Sequence, residues 1–467
     1  MEFAAFPKNL AYNIKTLSGF SKTTVKLTPD RTGTIRHGET IKVKLPSNTI
    51  VDLRTFSMFF KGTASRTSGS QVHFPRLSSS LIKTLAVYIN GTLIERIDNY
   101  NILYNKLYDL DGGGVDQVAK RFLENADPSV DYSVTDTYNS GAPTILTLQA
   151  SASDTNKKMM VNNWLGFLST CNCPCPDTND LNNVEVEITF ADEKVLWAGS
   201  AGNDADPNVQ GAAYTLSDVH FTISKIVFND PLYYNLKASK LLSSGLTLGY
   251  QTYIASKGAA VEKGTSVNVL TTVNSTSLDQ LVCCLQPANT PVTTLRLYGA
   301  ASNAPKSFNQ VFAEAPAAQG DASVHHSTAG GLYNQSYYFQ SDASGIAYSS
   351  VEINNTPLMP QPLENAEIYN ETLISLGNLN QDMSSGIHQG CLSLGHFLKY
   401  YFTHVVSLEN IQQGDFYKSG LDGKASALNI AWKMVFNNVG GSYIPHIFAK
   451  TTRIAQINEG HSVVVIV

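Results

Sequence analysis

The chain has 467 residues, 43% of them hydrophobic and only 15% charged, with a formal net charge of −5. That length exceeds one ordinary core and suits two large β domains of roughly 200 residues each. There is no Lys/Arg-rich run, and Lys8 and Lys15 are the only cations among the first twenty residues; this excludes a direct nucleic-acid packager, because binding phosphate needs a basic stripe or arm.

In chain order, Phe6, Leu10, Ile14 and Leu17 come first, spaced to give one apolar helical face, with Pro7 tolerated in a first turn. Residues 1–20 read either as an arm that touches a neighbouring subunit, a minor structural protein or a membrane, or as a segment packed on its own domain. Residues 1–6 lack a basic region followed by an apolar stretch, which predicts a chain without a secretory leader. No segment approaches the ~18–20 apolar residues of a membrane span. The six cysteines are then expected to be reduced.

Residues 22–27 and 40–45 alternate polar and apolar positions, the period of half-buried strands. Residues 49–63 continue in β-branched and aromatic residues. Residues 81–97 read LIKTLAVYINGTLIERI, with Asn90-Gly91 between two alternating runs; both residues tolerate the positive φ of a two-residue hairpin. The period then changes over 98–110, where Leu103, Leu107 and Leu110 predict a short helix that Asp98 or Asn99 can cap. A Gly/Ser/Thr/Asp-rich connection over 111–156 follows, and strands resume at 184–190 and 214–228. Asn229-Asp230-Pro231 breaks the pattern, dividing the chain into domains over 21–232 and 233–467. The second half has strand-like runs at 246–254, 266–285, 292–298, 348–353, 427–436, 446–457 and 463–467, around a long Ala/Ser/Gly/Asn/Gln-rich stretch over 300–345.

One segment occurs twice. Residues 87–94 read VYINGTLI and 351–358 read VEINNTPL, with Val, Ile, Asn and Thr coinciding at an offset of 264 residues. Asn354-Asn355 is the second turn, again of residues that accept positive φ at low cost. Each copy precedes a helix-compatible stretch with a Tyr-Asn pair, Tyr104-Asn105 and Tyr369-Asn370. The chain therefore reads as one β architecture present twice.

No catalytic constellation stands out. Cys171, Cys173 and Cys175 alternate, whereas structural zinc pairs are spaced Cys-x₂₋₄-Cys with a second pair elsewhere; Cys283, Cys284 and Cys391 read as small core residues. His325 and His326 are adjacent, which on a strand sends them to opposite faces, and His388 and His396 lack a His-x-His companion. No carboxylate pair is identifiable as acid and base. Hence no catalytic, cofactor-binding or metal residue is assigned, no cofactor is expected, and the chain reads as a non-enzyme. The surface substitutes Ser, Thr, Asn and Gly for ions, so desolvation against a neighbour costs little, as suits a subunit that assembles. The outer faces of both domains read as polar and alike, so the sequence singles out no interface residue.

The segments LPSNTIVDLRTFSMFFKGT, LIKTLAVYINGTLIERIDNYNILYNKLYDL and WLGFLSTCNCPCPDTNDLNNVEVEITFA resemble double jelly-roll major capsid proteins of double-stranded DNA viruses, the group found in nucleocytoplasmic large DNA viruses, virophages and Polinton-like viruses. Ile89-Asn90-Gly91, Ile94-Glu95-Arg96 and Tyr104-Asn105 carry the likeness. The resemblance implies an all-β chain of two tandem eight-stranded jelly-roll barrels with short helices and long tower loops. It also implies a homotrimer whose six barrels form a pseudohexagonal capsomer. Such a capsomer would tile an icosahedral shell among neighbouring capsomers, penton and minor capsid proteins. The location implied is the virion, assembled in host cytoplasm or nucleus, with the N-terminal arm reaching inward to a partner or an internal membrane and without specific nucleic-acid binding. The competing reading is a soluble β-sandwich glycan-binding or receptor-attachment protein presenting Tyr333, Tyr337, Tyr338 and Phe339.

Overall fold

The computed structural model describes residues 20–67, 71–75, 77–111, 153, 155–199, 211–228, 239, 245–262, 266–288, 337–339, 341–343, 345–376, 394, 397–398, 401–409, 420–424, 426–437, 442–458 and 461–466. In the first half the strands are β1 (Phe20–Leu27), β2 (Ile35–Arg36), β3 (Thr40–Lys44), β4 (Ile50–Ser65), β5 (Gln71–His73), β6 (Ile82–Ile89), β7 (Thr92–Asp98), β8 (Lys157–Val161), β9 (Val184–Phe190), β10 (Trp197–Gly199) and β11 (Ala213–Phe228). Helix α1 (Tyr100–Asp111) follows β7. The second half contributes β12 (Leu246–Lys257), β13 (Val261–Glu262), β14 (Val267–Val273), β15 (Leu278–Pro287), β16 (Ile346–Ile353), β17 (Thr356–Pro357), β18 (Thr403–Ser407), β19 (Leu428–Phe436), β20 (Ser442–Ile457) and β21 (Val463–Ile466), with helix α2 (Asn365–Ser375) after β17.

Local chemistry explains the strands. In β3 the sequence TIKVK buries Ile41 and Val43 and exposes its polar residues; β9, VEVEITF, alternates in the same way. Their antiparallel register sets Lys42 opposite Glu187 and Lys44 opposite Glu185, and both pairs close at 2.8 and 3.1 Å. Cross-strand pairs of this kind fix register more than they add stability.

The two halves share one topology. The first sheet runs β1-β11-β4-β8 and the second β3-β9-β6-β7; in the other half the orders are β12-β20-β15-β18 and β14-β19-β16-β17. Counting the eight principal strands of each half in chain order, both give 1-8-3-6 facing 2-7-4-5. Two four-stranded antiparallel sheets wound in this order are a jelly roll, so the chain is a double jelly roll. The short strands β2, β13 and β21 extend the first-named sheet of each half, and β5 pairs with β10.

Several details differ from the sequence reading. Residues 266–285 form two strands rather than one run, because Ser275 and Ser277 close a turn between β14 and β15: the Ser277 amide donates to Ser275 Oγ at 3.2 Å. Strands β8 and β18 lack an alternating pattern and have no counterpart in the sequence reading. β17 has two residues; Pro357 stands opposite Glu352, where no cross-strand amide bond is needed, and the Leu358 amide donates to the Val351 carbonyl at 3.0 Å. The strand expected at 292–298, the domain break at 229–231 and nearly all of the two long connections lie outside the described residues.

One buried cluster fills the second barrel around Trp432, Ile430, Met434 and Ile447. The other fills the first barrel around Phe56, Met58, Leu85 and Phe221, and continues into Leu248, Tyr250, Val282, Cys284, Val405 and Phe448 of the second. The barrels are thus joined through a packed, buried junction.

Candidate functional site at the junction of the barrels

Both hairpins place their two central residues at positive φ: Asn90 at 49° and Gly91 at 78°, Asn354 at 52° and Asn355 at 62°. The mirror-image turn that matches strand twist requires this. The Asn90 amide donates to the Asn183 carbonyl at 2.7 Å, and the Asn354 amide to the Asn429 carbonyl at 2.8 Å; each hairpin is tied to the seventh principal strand of its own barrel or the residue just before it. Their surroundings differ. Asn90 Nδ2 donates to the carbonyl of His461 in the second barrel at 2.8 Å, and His461 Nδ1 lies 2.7 Å from the carbonyl of Asp180. All four turn residues are exposed, but the Asn354 side chain is engaged within its own barrel, where its Oδ1 accepts the Asn429 amide at 2.9 Å.

Strand β7 continues the contact. Ile94 and Glu95 are consecutive and both buried, at a bulge in the pairing of β7 with β6, while Leu93 and Arg96 on either side of them are exposed. Tyr250 Oη on β12 donates to the Ile94 carbonyl at 2.7 Å. Glu95 is 1% exposed. Both of its carboxyl oxygens stand 2.9 Å from the Phe167 amide, at the start of the helical turn Phe167–Thr170. Burial pushes its carboxyl up to about 8, against opposing pulls from the Phe167 amide, the Thr252 hydroxyl and the Arg453 charge. Gly166 makes the approach possible: its φ is +79°, and a Cβ there would fall 2.3 Å from Glu95 Oε2.

Next to that turn, residues 170–172 run along the edge of β12. The Asn172 amide donates to the Gly249 carbonyl at 2.8 Å. The Gln251 amide donates to Thr170 Oγ1 at 2.9 Å, and Thr170 Oγ1 donates to the Gln251 carbonyl at 3.1 Å. An edge that would otherwise invite pairing with another chain is covered from within.

Helix α1 completes the junction. Lys106 is 1% exposed; its ammonium donates to the Phe339 carbonyl at 2.5 Å and lies 6.0 Å from the centroid of the Tyr401 ring. Phe339 is buried and Tyr338 is half-buried against the core. This corrects the expected exposed aromatic patch at Phe339; Tyr333 and the side chain of Tyr337 lie outside the described residues. Cys283 and Cys284 are both buried, on opposite faces of β15: Cys283 faces the second core and Cys284 the junction. A polar outer face is therefore the wrong expectation for the second barrel, where β15 is buried along its entire length.

Cys171 is buried in the first barrel's core cluster, and Cys173 and Cys175 are half-buried. Burial pushes the Cys171 thiol up to about 12 and raises Cys173 and Cys175 as well, so the thiolate that a metal or an electrophile requires is disfavoured. Among the described residues no group of three His, Cys, Asp or Glu could hold a metal ion, and no helix is long and apolar enough to cross a membrane. Phe6, Leu10, Ile14 and Leu17 lie outside the described residues, as do His325, His326, His388, His396 and Cys391.

Sequence reasoning used Glu95 only as part of a pattern and missed Lys106, Gly166, Tyr250 and Arg453. The available signal was the unbroken apolar core of β15, LVCCL, since a strand apolar at successive positions is covered on both sides.

No family model matches the chain, and no curated protein matches it. Solved structures do. A quasi-atomic model of the PBCV-1 virus capsid has a TM-score of 0.59 at 10% identity, covering 95% of this chain and 96% of that one. The Faustovirus major capsid protein has a TM-score of 0.54 at 9% identity, with 93% and 90% covered. The Sputnik virophage structure has a TM-score of 0.51 at 12% identity, with 96% and 89% covered. At such identities the likeness is one of fold, and it extends over both barrels and their junction: the chain has the double jelly-roll fold of viral major capsid proteins.

Proposed function

We propose that the chain is the major capsid protein of an icosahedral double-stranded DNA virus. The observation that carries this is the junction. Two barrels of identical topology are locked side by side through a buried, packed interface, and the likeness to capsid structures spans nearly the full length of both chains. A protein built to bind a small ligand needs a pocket with converging polar groups; a shell needs rigid blocks with defined sides.

In this reading, domains 21–232 and 233–467 stand upright in a homotrimer of six barrels, the capsomer is pseudohexagonal, and the connections 111–156 and 300–345 form its outward towers. The apolar face of Phe6, Leu10, Ile14 and Leu17 works as an arm toward a neighbouring capsomer, a minor or penton protein, or an internal membrane. The protein acts in the virion shell without catalysis and without reading nucleic-acid sequence.

Light scattering and negative-stain imaging of the purified full chain test this. Trimers with a six-lobed outline, able to form shells or sheets, are the expected result. A chain that stays monomeric at every concentration overturns the proposal.

A further inference from the structure

One face of β12 and β20, running from the second core to β7, is an apolar ladder interrupted by two polar rungs. In register, Leu246 stands opposite Ile457, Leu248 opposite Ala455 and Ile254 opposite Ala449. Between them Tyr250 stands opposite Arg453, and Thr252 opposite Thr451. Residues directly opposite on one face have Cβ atoms about 4.5–5.5 Å apart, so these four side chains share one patch. Glu95 of the first barrel lies against it: the Thr252 hydroxyl and the Arg453 charge both act on its carboxyl.

The patch is buried and short of bonds. Glu95 and Thr252 are each 1% exposed, and Thr451 is 0% exposed. Among the described residues, Thr252 Oγ1, Thr451 Oγ1 and Arg453 Nε have no hydrogen-bond partner. Tyr250 Oη gives its hydrogen to the Ile94 carbonyl. Both Glu95 oxygens share the one hydrogen of the Phe167 amide, although a carboxyl group can accept several more bonds. An unmet buried polar atom is destabilising, and native folds meet such atoms with protein groups or with ordered water.

The donors and acceptors decide the ligand. Arg453 Nε can only donate, Glu95 keeps an accepting oxygen in either protonation state, and the hydroxyls do both. A metal cation cannot accept from Nε and would stand beside the Arg453 charge. A halide has no hydrogen to donate to Glu95. Water donates twice and accepts twice, and three or four polar partners are what a buried water uses.

We infer that an ordered water molecule is bound between the barrels, accepting from Arg453 Nε and one threonine hydroxyl and donating to Glu95 and the other threonine oxygen. It links the two barrels at a point where no direct hydrogen bond joins these atoms. The site lies within one chain, so it stands whether or not the shell reading does.

A high-resolution map of the full chain should show a solvent peak about 2.7–3.2 Å from Arg453 Nε and from a Glu95 oxygen. Thr252→Val and Thr451→Val then supply a sign, because valine keeps the shape of threonine and removes the hydroxyl. Where the hydroxyls hold the water, each variant leaves it short of a bond. The melting temperature should then fall by about 2–4 °C, the shift for one lost bond in a domain of roughly 200 residues. Where the hydroxyls are simply unmet, valine removes a buried orphan and the melting temperature stays or rises. That result, or a map without the peak, overturns the inference. A peak that turns into an anomalous scatterer in bromide or rubidium salts also overturns it, since the ligand is then an ion.

Discussion

Tyr250 of the second barrel reaches across the junction and donates its phenol hydrogen bond to the Ile94 carbonyl at 2.7 Å. The ring itself packs edge-on against Phe167 at 5.3 Å between centroids, so one side chain contributes both apolar contact and a directed bond. Tyr250→Phe retains the ring and removes the bond; a net loss of about 1–1.5 kcal/mol is expected. Tyr250→Ala also empties the ring's site and should cost about 3–5 kcal/mol. Calorimetry checks both, and the larger loss should split a single unfolding transition into two as the barrels uncouple.

Glu95 makes the same junction sensitive to rising pH. Its carboxyl titrates near 8 when folded, against an ordinary value of 4.5. Between those values the folded state holds a proton that the unfolded state has released. The stabilisation is therefore complete below about pH 4.5 and is lost as pH rises through about 8. Melting temperature should fall over that interval, and Glu95→Gln should flatten the fall and raise stability at pH 9. A Glu95→Gln variant with the same slope as the parent between about pH 4.5 and 8 would exclude this residue as the cause.

The second barrel responds in the opposite direction. His404 is held near 4 and His446 near 3 by burial, against 6.5 in the open chain. His404 Nδ1 lies 2.9 Å from Ser349 Oγ, which also accepts the Trp432 indole N–H at 2.9 Å; His446 Nε2 lies 2.9 Å from Gln286 Oε1. Because both folded values are depressed, their contribution is present above about pH 6.5 and is lost as pH falls. Stability should decline from pH 6.5 toward pH 4, with the second barrel unfolding first; tryptophan emission would report this in a Trp164→Phe/Trp197→Phe background that leaves Trp432 alone. His404→Gln, which can still bond Ser349, should shallow that decline.

Much of this was legible in the sequence, and the reasons are local. Alternation in TIKVK and VEVEITF reports a sheet with one wet face, and Asn-Gly and Asn-Asn report positive φ at two adjacent positions, so the strands around the hairpins and the twofold architecture could be read directly. Lys106 and Glu95 could not. A lysine and a glutamate read as surface residues, and only the second barrel's position buries them. β18, THVVS, failed for a related reason: a strand covered on both faces by neighbouring elements has no period to detect.

The hairpins separate local from long-range stabilisation. Asn354 Oδ1 accepts the Asn429 amide at 2.9 Å within its own barrel, whereas Asn90 Nδ2 donates to His461 in the other barrel and Asn90 Oδ1 accepts from Asn182 Nδ2 at 3.1 Å. Replacing either asparagine by glycine keeps positive φ accessible and removes only the side-chain bonds. Asn354→Gly should cost about 1 kcal/mol and leave the coupling between the barrels intact. Asn90→Gly should cost a similar amount and also accelerate hydrogen exchange at the β20–β21 turn, where the His461 carbonyl loses the Asn90 donor.

Gly166 offers the sharpest test of the junction, because two independent requirements meet at one residue. Its φ of +79° disfavours any side chain, and a Cβ would sit 2.3 Å from Glu95 Oε2 and 2.7 Å from Glu95 Oε1. Relief requires the carboxyl to withdraw from the Phe167 amide, leaving a buried donor and a buried acid without their partner. Gly166→Ala should therefore destabilise by about 2–4 kcal/mol, combining backbone strain with the lost bond. Glu95→Ala removes the steric conflict but not the strained φ, so the double variant should lose less than the sum of the two single losses. Additive losses in calorimetry would mean that the two residues do not share a site.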